Sequence, residues 1–140
     1  MSLVVGTVSA DGEPRAHRAW SAVVVDPGER RLRFVMSNDD PDLIAHLGSG
    51  AVALTGANVA TYASMQVKGR VVAVESPTAD DLARTRHSID TFFETINRTD
   101  GNPMEHLVRM LPEMYVAVDM IVDETFDQTP GPKAGSAWAS

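Results

Sequence analysis

Apolar positions recur with the period of two expected of half-buried strands through most of this chain, and one long stretch has helical spacing instead. Val4-Val5-Gly6-Thr7-Val8 predicts a first strand over residues 3–9. Asp11-Gly12 then supplies the positive φ angles of a tight hairpin, and a second strand is expected over 14–25. Pro27-Gly28-Glu29-Arg30 is a turn by composition, and Arg31-Leu32-Arg33-Phe34-Val35-Met36 is a short third strand. Asp40-Pro41-Asp42 opens a short helix over 43–47, and Gly48-Ser49-Gly50 stops it. Residues 51–55 predict a fourth strand and 60–75 a long fifth one. The fifth strand carries Met65, Val67, Gly69, Val71 and Ala73 on one face and Gln66, Lys68 and Arg70 on the other.

The helical stretch follows. Thr78 is a good N-cap for a helix over 78–98, with Asp81 giving an imperfect capping box, and Leu82, Ile89, Phe93 and Ile96 form its apolar stripe. Thr99-Asp100-Gly101-Asn102-Pro103 breaks the pattern, and Met104 to Leu111 predicts a short helix. A last strand is expected over 115–122. The tail from Phe126 to Gly135 is too rich in turn residues for regular structure. Six strands joined mainly by hairpins predict a mainly β fold, a six-stranded antiparallel split β-barrel, since closure removes the exposed edges. The helix over 78–98 is expected to cover one barrel opening. The tail is expected to run extended over a dimer surface, with Trp138 against the partner.

The chain's 140 residues suit a single domain over 1–140, of which 126–140 form the extended C-terminal tail. Its net charge of −7 argues against a nucleic-acid surface, which needs concentrated Lys and Arg. With no cysteine there is no disulfide, thiolate nucleophile or zinc–thiolate site, so redox chemistry requires a cofactor. No apolar run reaches membrane-spanning length and no signal peptide opens the chain, so a cytoplasmic protein is expected, with no membrane partner.

The second strand carries the candidate chemistry. Arg15, His17, Arg18 and Trp20 alternate cationic and aromatic groups along a strand that turns wholly apolar at Val23, a pattern suited to an anionic, aromatic ligand. Each residue also has a plainer reading, Arg18 as a solvated charge and Trp20 as core. His46, His87 and His106 sit on expected helices without partners at metal-ligand spacing, so they read as surface residues and no metal site is assigned. Gly48-Ser49-Gly50 lacks the lysine and the length of a phosphate-binding loop, and Asn97-Arg98-Thr99 matches the glycosylation pattern by chance. No nucleophile–base arrangement is signalled, so no catalytic residue is assigned.

The order of elements, with Gly6-Thr7-Val8, Asp11-Gly12-Glu13-Pro14-Arg15, Leu32-Arg33-Phe34-Val35-Met36-Ser37, Ala51-Val52-Ala53-Leu54, Val67-Lys68-Gly69-Arg70 and the ending Phe126 to Pro132, resembles the pyridoxamine 5′-phosphate oxidase-like family of FMN-binding split barrels. The resemblance implies a homodimer with two flavin sites between the subunits. It implies that His17, Arg18, Ala19 and Trp20 lie beside the ring and ribityl chain. Met36, Ser37, Asn38 and residues 40–42 would hold the phosphate, and Ser64 and Gln66, with Lys68, would face the cofactor from the fifth strand. Where such proteins carry a Ser-Arg-Lys-like run, this chain has Asp40-Pro41-Asp42. Carboxylates repel a phosphate, which leaves Arg15, Arg18, Lys68 or Arg70 to hold it. The function so implied is an FMN-dependent oxidoreductase acting on a small-molecule substrate. The alternative is a non-catalytic protein on the same fold that binds a flavin, a deazaflavin or haem, or that has lost its cofactor.

Overall fold

A computed structural model describes residues 1–48, 50–101 and 103–138; Ser49 of the expected helix stop, Asn102 of the expected helix break and the end of the tail lie outside them. The elements run β1 (Ser2–Val8), β2 (Pro14–Asp26), β3 (Arg31–Ser37), α1 (Pro41–Leu47), β4 (Ala51–Ala57), β5 (Ser64–Glu75), α2 (Ala79–Asp100), α3 (Met104–Val108), β6 (Tyr115–Asp127) and β7 (Ser136–Ala137). The strands lie in the order β3-β2-β1-β4-β5-β6, all neighbours antiparallel, and β3 pairs back onto β6 to close a six-stranded barrel.

Alternation sorts each strand between barrel interior and exterior. Leu3 and Val5, Ala19, Phe34 and Met36, Val52 and Leu54, Val116, Val118 and Met120 point inward into one apolar core. Leu43 and Leu47 of α1 belong to that core, so α1 plugs one barrel end. The longer helix, expected to cover an opening, packs instead on the outside of β2 and only flanks the other end, beside Leu3 and Ala22. Helix α2 lies on the outer wall, where Ile89, Phe92 and Phe93 bury Trp20 of β2, with the Trp20 and Phe93 rings edge to face at 6.3 Å. A register shift between Ala19 and Ser21 makes this possible. The bulge turns two successive residues, Trp20 and Ser21, toward α2, and the Ser21 and Thr85 hydroxyls meet at 2.7 Å in the buried interface. Leu82, expected in the buried stripe, is instead exposed.

The start of α2 is anchored by charge. Thr78 and Asp81 form the reciprocal capping box, and Asp81 also accepts from Arg33 of β3. Arg33 reaches Asp119 of β6 as well, at 2.9 Å, and Arg31 donates to the same carboxylate. Burial pushes the Asp81 carboxyl up, but the Arg33 guanidinium and the Thr78 cap outweigh it and hold its pKa at about 2.

The tail is the second correction. Strand β6 continues to Asp127, and residues 136–137 return as β7 to pair with Phe126 and Asp127. The turn residues make a hairpin rather than an extended arm. The Asp127 side chain accepts from the Thr129 amide, and Gly131 and Gly135 take positive φ values of 147° and 86°. Trp138 is held by its amide's bond to the Thr125 carbonyl and lies at this chain's own open barrel end. No helix among the described residues is long and apolar enough to cross a membrane.

Candidate functional site

The outer wall beside α2 is built from the outward positions of β2, β1, β4, β5 and the end of β6. Cross-strand register lines Arg18, Val4, Thr55, Gln66 and Phe126 into one row. The adjacent row reads Ala16, Gly6, Ala53, Lys68 and Glu124. Its middle holds nothing larger than a methyl group, so the sheet presents a shallow trough with Arg18 at one end and Lys68 at the other. Three strand spacings separate these two cations, roughly 14 Å across the sheet.

Four cations are the candidates to hold an anion, and their partners differ. Arg15 faces Glu13 at 3.6 Å and Arg70 faces Asp123 at 3.0 Å. Arg18 and Lys68 form no salt bridge among the described residues, although Glu124 is the cross-strand neighbour of Lys68. The Arg18 guanidinium lies 5.7 Å from the Trp20 and Phe92 ring centres, and the Lys68 ammonium 4.9 Å from that of Phe126. Both contacts orient the charge without neutralising it. Gln66 donates to the Thr55 hydroxyl at 3.0 Å and accepts from Gln128 at 3.4 Å, fixing the polar middle of the row.

The remaining residues fall elsewhere. Ala19 and Met36 are 3% and 0% exposed inside the barrel, and Trp20 is 6% exposed under α2, so these three side chains do not reach the trough. Ser64 lies at the wall's margin, its amide donating to Thr129 at 3.0 Å. Ser37 and Asn38 leave β3 at the plugged end, where the Asn38 amide bonds the Met114 carbonyl and the Ser37 hydroxyl accepts from the Asp39 amide. The nearby carboxylates are engaged in holding the fold. Asp40 caps α1 through the Asp42 amide at 2.9 Å, and Asp39 accepts from the Glu113 and Met114 amides.

His17 points inward at the plugged end beside His46, which is half-buried rather than a surface residue. His17 Nε2, His46 Nδ1 and the Thr7 hydroxyl are sealed from solvent with no hydrogen-bond partner among the described residues. Burial lowers the pKa of His17, opposed by Asp40 and reinforced by His46 and Arg15. No group of three or more His, Cys, Asp or Glu that could hold a metal occurs among the described residues. Residue chemistry alone did not single out Gly6, Ala53, Thr55, Phe92 and Phe126. Their place follows from register and from the packing of α2 on β2.

No protein-family model matches the chain, and no curated protein matches it. Solved structures do match. An oxidase-like protein from Lactobacillus delbrueckii, described as a putative pyridoxamine 5′-phosphate oxidase, is 17% identical over 89% of this chain and 83% of its own, with a TM-score of 0.52. An F420 reductase is 15% identical over 89% and 88%, with a TM-score of 0.52. A pyridoxamine 5′-phosphate oxidase-related FMN-binding protein from Nostoc punctiforme is 11% identical over 94% and 76%, with a TM-score of 0.50. The chain has the split-barrel fold of the pyridoxamine 5′-phosphate oxidase-like proteins.

Proposed function

We propose that this protein is an FMN-dependent oxidoreductase that works as a homodimer, with the flavin bound on the outer wall formed by β2, β1, β4 and β5. The observation that carries this reading is the pair of cations outside any salt bridge among the described residues, Arg18 and Lys68, flanking a trough floored by Gly6, Ala16 and Ala53. A flat ring needs a floor without protruding side chains, and a phosphate needs a cation not already paired. When bound, the flavin ring accepts or donates hydride, and the chain supplies binding and orientation. Arg18 and Lys68 would take the phosphate and the polar edge of the ring, with Gln66 and Thr55 offering hydrogen bonds between them.

Val4 and Val8, 40% and 37% exposed on the same wall, support pairing of two copies over it. A stable two-fold dimer would bury ~2,000 Å² there. The likeness to an F420 reductase favours a deazaflavin as the second reading, since its ring has the same flat shape.

Titration of flavin fluorescence tests the proposal. FMN should bind, and Arg18→Ala and Lys68→Ala should each weaken it by about ten- to a hundredfold, the range for loss of one charge-assisted contact. Riboflavin, which lacks the phosphate, should respond less to whichever residue holds that group. Light scattering should give two chains per particle. Failure of the wild type to bind either flavin at high micromolar concentration would overturn the FMN assignment.

A further inference from the structure

The barrel's two ends are finished differently. At the plugged end the inward residues are bulky, and α1 adds Leu43 and Leu47. At the other end the inward positions include Ala22, flanked by α2, and Gly56, beside which Met1 lies. The strand walls are too wide for these small residues to fill, and a cavity of about 450 Å³ remains, open to solvent. Leu3, Leu32, Leu54, Met65 and Val67 line it.

The polar groups at its rim are occupied with one another. Asn58 accepts from the amides of residues 60 and 61, and Thr129 both accepts from the Ser64 amide and donates to the Ser64 carbonyl. Asp127 accepts from the Thr129 amide. A polar guest would find few free partners. An anionic guest would meet the Asp127 carboxylate, which these hydrogen bonds and nearby Lys133 keep ionised by lowering its pKa. An apolar cavity of this kind takes apolar guests in preference to water. Trp138, 56% exposed, stands at the mouth as a flat apolar wall.

We infer that the open end of the barrel is a binding site for one neutral, apolar molecule about the size of a two- or three-ring aromatic compound, separate from the outer wall. The inference does not depend on the flavin reading, because the cavity and the trough lie on opposite sides of the sheet. The same strands supply both, through inward and outward positions respectively.

N-Phenyl-1-naphthylamine, a neutral probe that fluoresces in apolar surroundings, tests it on the full chain. Saturable binding at one probe per chain is expected, with energy transfer from Trp138 to the probe. Ala22→Phe, which fills the cavity, should weaken binding at least tenfold. Trp138→Phe should remove more than half of the transfer while leaving the probe bound, and it requires no change in the barrel. The sulfonated analogue 8-anilinonaphthalene-1-sulfonate should bind at least tenfold more weakly than the neutral probe, and FMN should not displace the probe. Equal binding by the Ala22→Phe variant, transfer indifferent to Trp138, or no binding because a second copy closes the mouth would each overturn the site.

Discussion

Asp81→Asn tests the charged anchor that fixes α2, and through Phe92 the placement of Arg18. The Asp81 side chain is 4% exposed and accepts from Arg33, Arg84 and the Thr78 amide. Its pKa falls from 3.8 to about 2 on folding. A carboxyl whose pKa is depressed in the folded state adds stability that is complete above its unfolded value and is lost as pH falls through its folded value. The drop corresponds to about 2 kcal/mol at neutral pH, about half of which remains at pH ~3 and little at pH ~2. The variant should therefore unfold roughly 8 °C below the wild type at pH 7, given the usual few degrees per kcal/mol for a chain of this size. The gap should close steadily as pH falls below about 4, because the wild type then protonates the same group. Thermal melts followed by circular dichroism from pH 7 to pH 2 measure it. Equal melting at pH 7, or a gap as wide at pH 2 as at pH 7, would refute the assignment of Asp81 as an ionised anchor.

Gly69→Ala should destabilise the barrel by roughly 2–4 kcal/mol in a chemical melt, because its Cβ would lie 1.8 Å from the Ile121 carbonyl oxygen, a backbone atom that cannot turn aside. Asp42→Lys should change FMN affinity less than about threefold in the same fluorescence titration, since the phosphate is assigned to the outer wall and not to α1. A tenfold gain would move the phosphate to α1. The same substitution should lower stability by about 0.5 kcal/mol, as it puts a cation at the positive end of a short helix.

The barrel was legible because a period of two survives along most of its strands. Val5 and Val52 face in while Val4 and Ala53 face out, and Asp11-Gly12 marks the first turn, where Gly12 takes φ 84°. The position of α2 was not legible. Its stripe shows that one face is buried, whereas the surface it meets is made by the bulge at Trp20 and Ser21, where alternation fails. The ion network was hidden for a related reason. Arg33 and Asp119 look like solvated strand charges until the β3–β6 pairing that closes the barrel sets them opposite each other. The β6–β7 hairpin is not legible, because proline and glycine at 130–132 suggest irregular chain, whereas Asp127 accepts from the Thr129 amide and from the Gly135 amide to turn it back.

The candidate site divides along the same line. Arg18, Gln66 and Lys68 were readable as outward residues of strands, but the floor between them consists of Gly6, Ala16 and Ala53, types that carry no chemistry of their own. A trough is a property of register, which sets small residues side by side across three strands. The carboxylates of the β3–α1 turn make the converse point. Asp39 ties that turn to the entry of β6, and Asp40 caps α1, so both are held by the fold at the place where the resemblance implies phosphate contacts. An anion is repelled there whatever else the site does, and Arg15 and Arg70 already face carboxylates. Among these four cations Arg18 and Lys68 alone combine an outward position, orientation by an aromatic ring and a charge outside any salt bridge among the described residues, which is why the outer wall is where phosphate recognition should be sought.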